Sequence, residues 1–197
     1  MATNDYHFIT HWCVQSTVQE ITEVIRNGQE LMRWWPSVYL RVTELEPGDA
    51  SGLGKVVDLY TKGWLPYTLR WQFRVSEVNH PYGFTITAWG DFIGRGIWTF
   101  EQDSDYVNIT YDWKIRAGKP LLQNFSWLLK PVFSANHRWA MRMGEQSLNL
   151  ELARRHAATP TARARVPPPP GPTRTGPLLS AGGLLVAVAL LTRRGSR

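Results

Sequence analysis

Residues 65–75, LPYTLRWQFRV, set Tyr67, Leu69, Trp71, Phe73 and Val75 in strict alternation with Thr68, Arg70, Gln72 and Arg74. VNITYDWKI repeats the pattern, with Val107, Ile109, Tyr111, Trp113 and Ile115 against Asn108, Thr110, Asp112 and Lys114. A period of two marks strands with one dry and one wet face. Further strands are expected at Tyr6–Val14, Val38–Leu45, Lys55–Lys62, Tyr67–Val78, Phe84–Trp89, Gly94–Glu101 and Tyr106–Arg116. The breaks between them carry Gly, Pro, Asp or Asn, as in Gly63-Trp64-Leu65-Pro66 and Asn79-His80-Pro81-Tyr82-Gly83. Such short connections predict an antiparallel meander.

Helical spacing occurs in two places. Val18, Ile21 and Ile25 share one side of Thr17–Ile25, with Gly28 as a stop, and Gln29–Trp35 reads as a second short helix ended by Pro36. From Pro120 to Arg155 the residues Phe125, Leu128, Leu129, Val132, Phe133, Asn136, Ala140, Met143, Ser147 and Leu150 recur at helical intervals. Pro131 should start or kink this helix. From there to Arg155 it would span roughly 37 Å, enough to cross a whole curved sheet. The expected class is therefore α+β, with about seven antiparallel strands bent around a long C-terminal helix and two short helices after the first strand.

Composition sharpens this picture. All ten tryptophans lie between Trp12 and Trp139. The formal charge of +6 comes from six arginines after Ala157, leaving 16 Lys and Arg against 16 Asp and Glu in residues 1–156. A neutral body does not predict a nucleic-acid surface. Cys13 is the only cysteine, so no intrachain disulfide can form, as in a reducing compartment. The start, MATNDYHFIT, lacks the charged and apolar regions of a secretory signal, and a cytoplasmic location is expected. The chain divides into a body (1–156), a Pro/Arg-rich linker (157–177) and an apolar segment with a basic end (178–197). Leu178–Leu191 is uncharged, and its fourteen residues would span about 21 Å as a helix against roughly 30 Å of hydrocarbon. Membrane contact through this run, at the cytoplasmic face, is one expectation; packing onto the body is the other.

One helix over a strongly bowed sheet leaves room for a pocket. Here the chain resembles the helix-grip superfamily of START and pollen-allergen-like (SRPBCC) proteins, and within it the polyketide cyclase/dehydrase-like branch. The resemblance rests on WWPSV at Trp34–Val38, KGWLPYTLRW at Lys62–Trp71, GDFIGRGIWTFE at Gly90–Glu101 and NHRWAMRMGEQSL at Asn136–Leu148. It implies a hydrophobic cavity for lipids, sterols, polyketides or similar guests, with chemistry in only some members.

The expected wall of that cavity is Trp71, Phe73, Trp98, Tyr111, Trp113, Asn136 and Met143, and GQELMRWWPSV is the expected lip. His137 and Asp91 are the candidates for proton transfer. Each has a plainer use, His137 as a structural imidazole and Asp91 as a turn former. The exposed Trp34-Trp35 pair expected from the sequence suggests a third possibility, a membrane-associated protein-interaction surface. No metal site is predicted, because His7 and His11 lie about 13 Å apart on a strand. No cofactor is predicted either, since Gly90, Gly94 and Gly96 join strand to strand without a following helix to hold phosphate.

Overall fold

The computed structural model describes residues 5–117 and 126–173. Seven strands, β1 (Asp5–Gln15), β2 (Tyr39–Glu46), β3 (Val56–Lys62), β4 (Thr68–Asn79), β5 (Gly83–Gly90), β6 (Phe92–Asp103) and β7 (Tyr106–Ala117), form one antiparallel sheet. The order β1-β7-β6-β5-β4-β3-β2 is a meander closed by β1 against β7. Each strand falls within two residues of its expected position. On β1 the period of two is clean: Tyr6, Phe8, Thr10, Trp12 and Val14 turn inward while the residues between them are exposed. Register shifts in β2 against β3, and between Val75 and Glu77 of β4, bend the sheet. After the β4 shift Val78, not Glu77, is the next side chain turned in.

Between β1 and β2 lie α1 (Val18–Arg26), a 3₁₀ turn (Gly28–Glu30) and the single-turn α2 (Leu31–Trp34). Thr17 caps α1 by accepting a hydrogen bond from the Glu20 amide, and Val18, Ile21, Val24 and Ile25 bury its inner face. The chain breaks at Asn27, one residue before the glycine expected to stop it.

The long helix, α3, runs from Ser126 to His156 with Pro131 inside it. Of the two places expected for Pro131, the start of the helix or a point within it, the second is the one found. At that place a proline leaves the carbonyl four residues earlier without its usual amide partner. This arrangement is the helix-grip fold that the resemblance implied. Arg33 of α2 clamps onto α3 by donating two hydrogen bonds of 2.6 and 2.7 Å to Glu151. Arg155 adds a third at 2.9 Å.

The stretch read as a linker is ordered over its described part. Thr159 caps a fourth helix, α4 (Pro160–Arg165), with Pro160 at its first position. Val166–Thr173 then runs without helix or strand back along the body. Arg154 donates to the Pro167 carbonyl, and Thr173 reaches the β3–β4 connection. Leu178–Leu191 lies outside the described residues. Among the described residues, no helix is long and apolar enough to cross a membrane.

Candidate ligand-binding cavity

The sheet and α3 touch along β1, where Phe8 stacks on His137, but elsewhere their inward faces stand apart. Between them lies a cavity of about 420 Å³, within the range of small-molecule sites. The sheet supplies its floor: Leu69, Trp71 and Phe73 from β4, Phe92 and Trp98 from β6, and Tyr111, Trp113 and Ile115 from β7. The roof comes from α3, through Phe133, Asn136, His137, Ala140 and Met141, and one side from Trp34, Trp35 and Tyr39. One rim holds Arg26, Gly52 and Lys55 near the start of β3; the other holds Lys62, the last residue of β3, with Gly63 and Tyr67 just beyond it.

The floor is a run of touching rings. Trp98 and Tyr111, paired across β6 and β7, stack at 4.1 Å between centroids, and Trp113 continues the stack at 5.5 Å from Tyr111. Trp71 joins Trp113 at 5.7 Å, and its indole donates to Thr61 Oγ1 at 3.1 Å. Gly96 makes this surface possible. A Cβ there would lie 2.7 Å from both the Tyr111 hydroxyl and the Trp113 ring. Gly144 does the same for the roof: a Cβ would stand 2.3 Å from the Trp35 ring, so the indole can lie flat against α3.

Of the expected wall, Trp71, Phe73, Trp98, Tyr111, Trp113 and Asn136 line the cavity, and Met143 does not. Met141 takes that place, because the inward stripe of α3 runs through Phe133, His137, Met141, Gly144, Leu148 and Leu152. Two residues on an α-helix are about 200° apart, so Met143 points away. Asn136 lines the wall and also anchors the roof. Its Oδ1 accepts from the Leu65 amide at 3.3 Å while the residue also faces the void.

The lip is corrected as well. Trp34 and Trp35, expected to be exposed, are 0% and 3% accessible, and both line the cavity. Trp35 packs against Trp12, Trp34 and Tyr39 with centroids 5.2–5.6 Å apart. The basis for an interaction surface at this pair is thereby removed. The sequence signal for the inward pair was Gly144, a glycine inside a helix, which is costly unless something must approach closely.

The two proton-transfer candidates are not brought together. Asp91 is not among the residues lining the cavity; its carboxylate accepts from the Arg70 amide at 2.7 Å, and its own amide donates to the Arg70 carbonyl. His137 does line the cavity. Its ring stacks on Phe8 at 4.1 Å, and Nε2 lies 3.5 Å from Thr10 Oγ1. Burial, with a smaller push from Arg138, lowers its pKa to about 4, so the imidazole is neutral at pH 7.

The phenols are displaced in the opposite sense. Burial raises Tyr39, Tyr67 and Tyr111, and nearby Tyr39 adds to the rise at Tyr111. Nothing inside the cavity is therefore charged near neutrality. The cations at its edges are engaged: Arg26 donates to the Ser51 carbonyl, Lys55 pairs with Glu44 at 3.1 Å, and Lys62 donates to the Thr173 carbonyl at 2.6 Å. No cluster of His, Cys, Asp or Glu able to hold a metal ion occurs among the described residues.

No family model matches the sequence, and no curated protein matches it. Solved structures do share its fold. A protein of Thermus thermophilus aligns with a TM-score of 0.59 at 10% identity, over 72% of this chain and 96% of its own. The ZhuI aromatase/cyclase of a Streptomyces species gives 0.55 at 19% identity, over 78% and 97%. The di-domain aromatase/cyclase StfQ, from the steffimycin biosynthetic pathway, gives 0.51 at 15% identity, covering 70% of this chain and 48% of StfQ. At these identities the likeness is one of fold.

Proposed function

We propose that this protein is a carrier or sensor that binds a bulky, uncharged hydrophobic molecule, such as a lipid or a polyketide, between its sheet and α3. The carrying observation is the void itself: about 420 Å³ walled by stacked aromatic rings, with every lining cation engaged at a rim. Burial of the guest supplies affinity at about 25 cal/mol per Å² of apolar area, before ordering costs. The phenols of Tyr39 and Tyr111, held protonated, are donors suited to a carbonyl or hydroxyl on that guest. In this reading Leu178–Leu191 attaches the domain to the cytoplasmic face of a membrane.

A cyclase or dehydratase using the same cavity is less well supported. Proton transfer is efficient when the catalytic pKa lies near the working pH, whereas His137 is pushed down to about 4 and Asp91 lies outside the lining. The test is native mass spectrometry of the protein purified from its own host, followed by extraction of any guest. A thermal-shift panel of fatty acids, sterols and aromatic polyketides accompanies it. We expect a retained neutral guest or stabilisation by neutral members of the panel. An empty protein that no compound stabilises defeats the reading.

A further inference from the structure

The segment after α4 is a strap with fixed anchors at both ends. At its start Arg163 donates to the Arg154 carbonyl at 3.2 Å, and Arg154 donates to the carbonyl of Pro167. At its end Thr173 donates to the Gly63 carbonyl at 3.1 Å, and its own carbonyl accepts from Lys62 Nζ at 2.6 Å. Between these anchors lie Pro167–Pro170 and Pro172, which keep the path extended and stiff. Lys62 and Gly63 are lining residues of one cavity rim. The strap thus ends at that rim and not at the one formed by Arg26 and Gly52.

This placement fixes where the apolar run can start. Leu178 comes five residues after Thr173, so Leu178–Leu191 begins within about 18 Å of the rim however the chain is drawn out. The rim has the character of a lipid-facing surface. Trp64, two residues after Lys62, is 41% exposed. An exposed indole close to a lysine suits the zone between headgroups and acyl chains.

We infer that the Lys62–Leu65 rim is the face this protein lays on a phospholipid bilayer, so that a guest exchanges between the cavity and the lipid without crossing water. The purpose rests on the carrier reading; the orientation rests on the strap and on Trp64.

The test is hydrogen–deuterium exchange of the full chain with and without vesicles of phosphatidylcholine and phosphatidylglycerol, alongside co-sedimentation. The expected result is sedimentation with vesicles and slowed exchange at residues 62–67, with the 47–55 loop at the opposite rim unchanged. Trp64→Glu lowers the bound fraction several-fold and removes the protection at 62–67. Thr173→Val leaves vesicle binding in place but weakens that protection, because the strap no longer fixes the orientation. Failure to sediment overturns the inference, as does equal or stronger protection of the 47–55 loop. A further contrary result is protection of 62–67 in vesicle-free protein that Leu184→Asp abolishes, which would make the apolar run a plug. A guest retained by native mass spectrometry in protein that ignores vesicles removes this orientation and leaves the carrier reading intact. Rim protection on vesicles with an empty cavity does the reverse.

Discussion

His137 reports whether the cavity is dry, and acid is the perturbation that makes it do so. Its pKa falls from the ordinary 6.5 to about 4 in the folded chain, mainly because the imidazole is removed from water. In the unfolded chain it takes up a proton as the pH drops below 6.5; in the folded chain it resists until about 4. Between those values the unfolded state binds more protons, so stability falls as the solution is acidified. Each pH unit across the window is worth about 1.4 kcal/mol, and the whole window withdraws about 3 kcal/mol, a sizeable part of a domain's usual stability. The assay is urea denaturation at intervals from pH 7.5 to 4, on wild type and His137→Leu. Leucine loses the stacking on Phe8, so the absolute stabilities differ for other reasons; the informative quantity is how their difference changes with pH. It should drift against wild type by about 3 kcal/mol on going from pH 6.5 to 4. A constant difference refutes the reasoning, because it means the imidazole is hydrated as freely in the folded protein as in the unfolded chain, and the roof of the cavity is then wet.

Other outcomes rest on the same geometry. Affinity for a neutral guest should be flat from roughly pH 5.5 to 8.5, since burial lowers His137 to about 4 and raises Tyr39, Tyr67 and Tyr111; isothermal titration across that range checks it, and a tenfold swing contradicts it. Gly144→Ala should lower the melting temperature although alanine is the better helix former by about 1 kcal/mol, because its Cβ would stand 2.3 Å from the Trp35 ring; near-ultraviolet circular dichroism should report the displaced indole. Glu151 is 2% exposed. Burial pushes its carboxyl up, but hydrogen bonds from Arg33 and Arg155 outweigh this and hold it below the ordinary 4.5. Its contribution is therefore complete above pH 4.5 and lost as the pH falls below that. At pH 7 Glu151→Gln should cost about 1–3 kcal/mol, the lower part of the scale for a buried pair because Arg33 is half exposed and can return to water; urea midpoints measure it.

The sheet was legible because its signal is local. From Val107 to Ile115 of β7 each inward residue is separated from the next by one polar neighbour, and nothing beyond the strand is needed to see which way Trp113 or Tyr111 points. The phase of α3 was harder to read. Val132, Asn136, Ala140 and Met143 make as regular a helical stripe as Phe133, His137, Met141, Gly144 and Leu148 do. What chooses between them is contact made across more than a hundred residues, Glu151 with Arg33 and Gly144 with Trp35. The Trp34-Trp35 pair was misplaced for the same reason. Next to a proline and a turn, two indoles look exposed until a helix from the far end of the body is laid over them. The strap was hidden by composition, since a Pro/Arg/Thr-rich stretch reads as linker whether or not its carbonyls are claimed by Arg154 and Lys62.

Whether so many inward aromatics fill a core or wall a void is a question of separation between layers, and no periodicity encodes it. The structure indicates how the separation is maintained. Large rings stand on the floor wherever a small residue lets them lie against the sheet, as Tyr111 and Trp113 do over Gly96. The roof above presents Asn136 and Ala140 beside Met141 instead of a row of leucines. Closer packing of the layers would strain the anchors at both ends of α3: Asn136 bonded to Leu65 near one, and Glu151 held by Arg33 near the other. The wall also carries a cost that a plain core avoids. The Tyr6 hydroxyl and the Trp34 and Trp35 indole nitrogens are buried without partners among the described residues, at about 1–3 kcal/mol each. A sequence selected only for stability would replace those three with phenylalanine or leucine. All three side chains line the cavity, so the cost falls on its wall.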